Sequence, residues 1–514
     1  MIKRLIFIAF LFSINHPVIY CQQRDYIRGK VIDSKTAEPV PYATVRLLNY
    51  QLMVISNAEG DFRILNIAGF QSDSLIVTCI GFNRLSVAFS VLKTSVMNNF
   101  KLVPNINALN EVSESARKRT LIPEIIIDRA LRNIKKNSPA IPFSFVSYYR
   151  DYQKDGNNYL DLNEGIIHTL DKGFTFSSDS NRYRLLDFKK NMDFLRLNIS
   201  PYHNAMVGDQ NSNDLFILLA HDAIRNFDKS SFSYVDTLTK NFIRNHRFST
   251  PIGIYDGSTL LYEIDFTAKQ EITGDNIQMK GAIYIQTDDY SIHKLEYSAS
   301  VLNTEIKNKE IFNIEIEYGH EPALNSKMCL KYISFNNSFT IPDPNDNNFF
   351  KIKKVEWRQE GGPYADRRLI DMTITAFFNR KIDTVSGHRM ENYDITIGKR
   401  KAKITRIGVA GPNLYITIRD DKFSYQEINS MYLNIASLKD INGNILNKRK
   451  EMEFRQFREL FVQEYNKLVQ FQNNCFIQAM PLEQNQISSS DKSGRFWMNT
   501  PLKAEEKQQD SQNH

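Results

Sequence analysis

The chain has 514 residues and a formal net charge of +7, with 65 Lys and Arg against 58 Asp and Glu. That length calls for more than one hydrophobic core, since domains usually run ~100 to 200 residues. The charge excess is mild and interspersed; its densest patch, KRKAKITR at 399–406, reads as a solvated face or edge-strand guard, which argues against nucleic acid as a partner. The four cysteines are far apart with no CxxC or Cys/His spacing, which excludes a disulfide scaffold or a structural zinc site.

At the N-terminus Lys3 and Arg4 precede the apolar run LIFIAFLF, and a weakly polar stretch then ends at Cys21. This is the layout of a secretory signal, residues 1–21, with an apolar run too short for a spanning helix, which needs ~20 residues. Tyr20 stands where a lipoprotein signal carries a small residue, so cleavage before Gln22 is favoured over lipidation of Cys21. The chain is therefore expected to be exported to the periplasm, the outer membrane or the cell surface, with peripheral outer-membrane association open.

Residues 22–103 read as short alternating strands separated by Gly, Pro, Asn and Asp clusters. NAEGD at 57–61 could suggest calcium, but its place between two strands points to a hairpin turn with Gly60 at positive φ. Cys79, in LIVTCIGF, reads as a buried small hydrophobe. Gly29, Val31, Asp33, Thr36, Pro39, Pro41, Ala43, Val45, Asn57, Gly60, Phe62, Ile64, Leu75, Ile80, Gly81 and Phe82 together resemble the carboxypeptidase regulatory-like domain. The resemblance implies a seven-stranded, prealbumin-like β-sandwich. In zinc carboxypeptidases that sandwich is an accessory module, and the metal and catalytic groups sit in a separate α/β domain with no counterpart here.

Residues 104–140 read as a polar linker followed by a helix over 120–137, with Ile127, Ala130, Leu131 and Ile134 on one stripe and Ser138 and Pro139 as the stop. Residues 141–482 read as a larger antiparallel α+β domain, giving a mainly β protein with some α. Here Ala130, Asn133, Ile134, Pro142, Phe143, Tyr149, Arg150, Tyr159, Glu164, Gly165, Gly173 and Phe174 resemble the large envelope proteins of Bacteroidetes that carry the sandwich at their N-terminus. A helix is expected over 214–227, and a hairpin turning at 287–289, with Ile283, Ile285, Ile292, Leu295 and Tyr297 facing a core. GAIYIQTDDYSIHKLEY also resembles the strand-turn-strand repeat of bacterial lipoprotein-carrier folds, which implies a half-barrel-like sheet around a helix and assigns no function.

Phe454, Phe457, Phe461, Tyr465 and Leu468 predict a C-terminal helix over 452–471, docked on the sheet by its aromatic stripe. The tail 483–514 is rich in Gln, Ser, Lys and Asp and reads as disordered apart from the FWM island at 496–498.

No catalytic, cofactor-binding or metal residue emerges. His203, His221, His246, His293, His320 and His388 stand singly, without HExxH spacing, and no GxSxG, P-loop or GxGxxG is present. Asp161 and Glu164, the one carboxylate pair worth weighing, fall on opposite faces of a strand. The reading that follows is an exported envelope protein of non-enzymatic binding or scaffolding type, its partner an envelope protein, glycan or lipid. Two alternatives stand beside it: an envelope hydrolase with its site in 143–341, and a lipid or lipoprotein carrier.

Overall fold

The computed structural model describes residues 25–50, 52–105, 122–155, 158–190, 213–229, 238–302, 309–343, 346–359, 370–420, 427, 430–467, 476–478, 480–488 and 496–499. The expected signal at 1–21, most of the linker and most of the tail lie outside them. The chain divides into two compact units, Met1–Ser338 with Arg455–His514, and Phe339–Phe454.

The first unit begins with seven strands: β1 Tyr26–Asp33, β2 Thr44–Leu47, β3 Met53–Ile55, β4 Asp61–Leu65, β5 Ser74–Thr78, β6 Leu85–Ala88 and β7 Asn98–Leu102. They form two sheets, ordered β4-β1-β7 and β3-β2-β5-β6. Their inward residues, among them Val31, Val45, Phe62, Ile64, Leu75 and Phe100, are buried in one core. Gly60 has φ +77 and its N–H bonds to Asn57 O, while Asn57 Oδ1 accepts from the backbone of Glu59 and Asp61. The NAEGD segment is thus an Asx-stabilised hairpin turn.

After the helix Pro123–Asn137, the unit continues with β8 Phe143–Asp155, β9 Asn158–Asp171, β10 Arg182–Lys190, β11 His246–Phe248, β12 Ile252–Asp256, β13 Thr259–Ala268, β14 Ile277–Gln286, β15 Ile292–Val301, β16 Lys309–Glu321 and β17 Lys327–Pro342. These strands build an 11-stranded sheet, ordered β10-β9-β8-β25-β17-β16-β15-β14-β13-β11 with β12 also on β13, where β25 is Glu451–Lys467. Alternation along β8 shows how both faces are covered. Phe143, Phe145 and Tyr149 join the core under the helix, whereas Val146 and Tyr148 meet Ile55 and Tyr42 of the sandwich. The helix contributes Ile126, Ile127, Ala130 and Ile134, close to the expected stripe. These helix residues share one core with Phe145, Phe266, Tyr297 and Tyr465 of the sheet.

The second unit holds β18 Ile352–Gln359, β19 Ile370–Phe378, β20 Tyr393–Ile397, β21 Arg400–Lys401, β22 Ile404–Ala410, β23 Asn413–Asp420 and β24 Met431–Ile435. Its two sheets, β18-β19-β23-β22 and β21-β20-β24, enclose Phe350, Met372, Ile374, Ile395, Leu414 and Ile416. The expected single domain over 141–482 therefore contains a separate compact insertion.

Two expected elements differ. The segment 452–471 is not a helix: residues up to Lys467 form β25, a central strand paired with β8 from Arg455↔Lys154 to Lys467↔Phe143. A spacing of four keeps residues on one side of a helix and, being twice two, also on one face of a strand, so Phe457 and Phe461 satisfy both patterns. A bulge between Val462 and Glu464 then shifts the phase and turns Tyr465 to the helix-covered face. Residues 468–471 lie outside the described residues. The helix expected over 214–227 ends at Ala220. Asp222 Oδ1 accepts from the backbone of Ile224 and Arg225, and Asn226 Nδ2 donates to Leu219 O, so side chains compete with the helical ladder and turn the chain. No helix among the described residues is long and apolar enough to cross a membrane.

Candidate functional site

An open cleft of about 610 Å³ lies at the β10 edge of the large sheet. Its walls come from β10 and the turn before it (Ser178, Asn181, Tyr183), from the helix Asp214–Ala220 and the turn after it (Phe216, Leu219, Asn226, Lys229), and from residues 476–478. Asn213 starts the helix by accepting from Leu215 N through its side chain, and its Nδ2 donates to the carbonyls of Gln478 and Met480. Ile477 N donates to Tyr183 O and Ser488 N to Leu185 O, so the C-terminal segment covers what would be a bare sheet edge.

Beneath the cleft Arg225 forks onto Asp171, Nε to Oδ2 at 2.8 Å and Nη2 to Oδ1 at 2.9 Å. Asn181 Nδ2 and Gly173 N also donate to Asp171, and the guanidinium stacks 4.8 Å from the Phe174 ring. Charge and hydrogen-bonding capacity are matched, which makes this a positioning device. Asp222 accepts from Tyr318 Oη at 2.8 Å, and burial pushes its carboxyl up to about 6. His221 stacks on Phe335 at 4.0 Å with Nδ1 against Ile217 O, and burial pulls it down to about 4. At the rim Lys229 bridges Asp179 at 2.6 Å and donates to Ser178 Oγ. The cleft thus offers aromatic and aliphatic walls with amide and hydroxyl groups; Lys229 is paired with Asp179, and Arg182 donates to the carbonyls of Asp179 and Asn181.

Asp161 and Glu164 do not converge. Glu164 is buried and accepts from Tyr148 Oη at 2.7 Å, with burial raising its carboxyl, whereas Asp161 lies 3.8 Å from Lys190. His246 sits between Phe242 O and Tyr297 Oη, His388 faces Thr384 O, and His203 lies outside the described residues. Two histidines treated as single are in fact neighbours: the rings of His293 and His320 are 5.7 Å apart. Their separation in sequence concealed this, because the pairing of β15 with β16 brings them together. Among the described residues, no three His, Cys, Asp or Glu side chains gather as a metal site.

A polar layer joins sandwich and sheet. Arg150 pairs with Glu459, both almost wholly buried, and Tyr42 stacks on Tyr332 at 4.6 Å. Lys294 bridges Glu296 and Glu315 at 2.6 and 2.5 Å.

Residues 27–113 match the CarboxypepD_reg-like domain family, so the N-terminal sandwich is a domain of that type. No curated protein matches the chain. Among solved structures, the chain is similar to "Crystal structure of MucB in complex with MucA(peri)" over 61% of its own length and 99% of that chain, at 7% identity and a TM-score of 0.14. A likeness this slight carries no argument.

Proposed function

We propose that this protein, whose N-terminal sandwich is a CarboxypepD_reg-like domain, is an exported cell-envelope protein of non-enzymatic binding or scaffolding type. Its large sheet presents the cleft beside β10 to a glycan or peptide strand of the envelope. The supporting observation is the lining: Tyr183, Phe216, Leu219 and Ile477 form apolar walls, the exposed Gln478 adds an amide, and of the charged groups Lys229 is paired with Asp179 while Arg182 donates to the carbonyls of Asp179 and Asn181. Rings with neutral hydrogen-bonding groups suit a ligand that is itself polar along one side and apolar along the other. Against a lipid carrier stands the sheet interior, occupied by Phe and Tyr side chains. Against a hydrolase stands the engagement of Asp171 and Asp222 in structural hydrogen bonds.

The test is a titration of the full chain with soluble cell-wall glycan fragments, followed by native mass spectrometry and by chromatography of the fragments. Saturable binding without cleavage, weakened about tenfold by Phe216→Ala for a loss near 1.4 kcal/mol, is the expected result. Fragment turnover, or binding indifferent to Phe216→Ala and Tyr183→Ala, would overturn the reading.

A further inference from the structure

We propose that His293, His320 and Gln286 form a binding site for a divalent cation of the imidazole-preferring kind, Zn²⁺, Ni²⁺ or Cu²⁺. Gln286 ends β14, His293 lies at the start of β15 and His320 near the end of β16, so adjacent strands of one sheet bring the three together. Gln286 Oε1 is 3.1 Å from Nε2 of His293 and 3.1 Å from Nε2 of His320. The opposite nitrogen of each ring faces an oxygen: His320 Nδ1 is 2.7 Å from Ser326 O, and His293 Nδ1 is 3.6 Å from Asp256 Oδ2.

A carbonyl only accepts, so His320 carries its proton on Nδ1, and the neutral ring turns a lone pair from Nε2 toward Gln286. Asp256 Oδ2, 3.6 Å from His293 Nδ1 and beyond hydrogen-bond reach, biases that ring toward the same tautomer by its charge. Both ring lone pairs then face Gln286 Oε1, which Ser291 Oγ also approaches at 3.4 Å, and a cation between the rings and the amide oxygen would satisfy them. Carbonyl- and carboxylate-backed imidazoles are also how metal-ligating histidines are oriented in proteins.

The surroundings hold this geometry. The turn 287–290 is tied to the helix Pro123–Asn137 by Asn133 and Asn137, whose Nδ2 atoms each donate to Asp289 O at 3.1 Å. Asp289 Oδ2 lies 4.0 Å from His320 Nε2 and adds negative potential, which Lys331, lying over Gly319, opposes. His293 is buried and His320 is about one-third exposed, so one side is open and solvent can complete the coordination. The site is separate from the cleft beside β10, and its success or failure is independent of that reading.

The experiment is calorimetric titration of the full chain with ZnCl₂ and then NiCl₂ at neutral pH, with the imidazole nitrogens followed by ¹⁵N NMR. One equivalent of Zn²⁺ should bind and shift Nε2, not Nδ1, of His293 and His320. His320→Ala, at a partly exposed position, should weaken binding tenfold or more, and Asp256→Asn by about 10- to 100-fold through lost orientation of His293. Far-UV circular dichroism checks that each variant is folded. The competing arrangement turns the Gln286 amide over so that its NH₂ donates to both rings. Absence of saturable binding, shifts at Nδ1, or unchanged affinity in His320→Ala would overturn the proposal.

Discussion

Trp497→Ala should loosen the N-terminal sandwich, although the residue lies more than 430 positions from the strands it touches. Trp497 is 2% exposed and belongs to the sandwich core with Phe62, Ile64 and Leu65. Its Nε1 donates to Arg63 O at 3.1 Å, Arg63 N donates to Asn499 Oδ1 at 2.7 Å, and Asn499 Nδ2 donates to Ile55 O at 3.1 Å. Arg63 Nη2 donates to Met498 O, and Gln463 Nε2 of β25 donates to Trp497 O at 2.8 Å. Residues 496–499 thereby satisfy the outer edge of β4 and fasten it to the large sheet. Truncating a buried Trp costs about 3–5 kcal/mol. In a domain of the sandwich's size that corresponds to a fall of more than about 10 °C in its melting temperature. The chain has two tryptophans, and Trp357 is half-exposed. A Trp357→Phe background therefore leaves Trp497 as a fluorescence reporter of strap release during denaturation, while hydrogen exchange reads the protection of β1 and β4 directly. Unchanged exchange in β4 and an unchanged melting profile in Trp497→Ala would refute the reasoning.

Removing one partner of the Arg150–Glu459 pair leaves an uncompensated buried charge, so Glu459→Ala should cost about 3–5 kcal/mol in urea unfolding, while a paired replacement of both by apolar residues should cost far less. The neighbours His221 and Asp222 should act on acid stability in opposite senses. His221 is depressed to about 4 from 6.5, so the unfolded chain takes up the proton first and stability falls as pH drops through 6.5 to 4. Asp222 is raised to about 6 from 3.8, so its contribution is fully present below 3.8 and is lost as pH rises through 6. Each effect is of order 3 kcal/mol. Chemical denaturation across this range should show His221→Gln flattening the acid loss and Asp222→Asn steepening it; identical profiles for both variants would contradict the assignment.

The sandwich was legible because its information is local. Gly60 and Asn57 specify a turn, and period-two alternation through Val31, Phe62, Ile64 and Leu75 specifies which face is buried. The helix Pro123–Asn137 and the hairpin carrying Ile283 and Leu295 were legible for the same reason, since each sets its own period within a few turns or residues. β25 was not legible: its aromatic spacing fits helix and strand alike, and pairing with β8, some 300 residues earlier, makes it a strand. A lone sequence cannot show that Arg150 lies opposite Glu459. The proximity of His293 to His320, the Asp171–Arg225 fork under the cleft and the burial of Trp497 likewise depend on contacts between distant segments. Local propensity determined the turns, the alternation and the sandwich. Only tertiary pairing decided which polar groups would be brought together, because desolvation and hydrogen-bond matching act on neighbours in space, however far apart they stand in the chain.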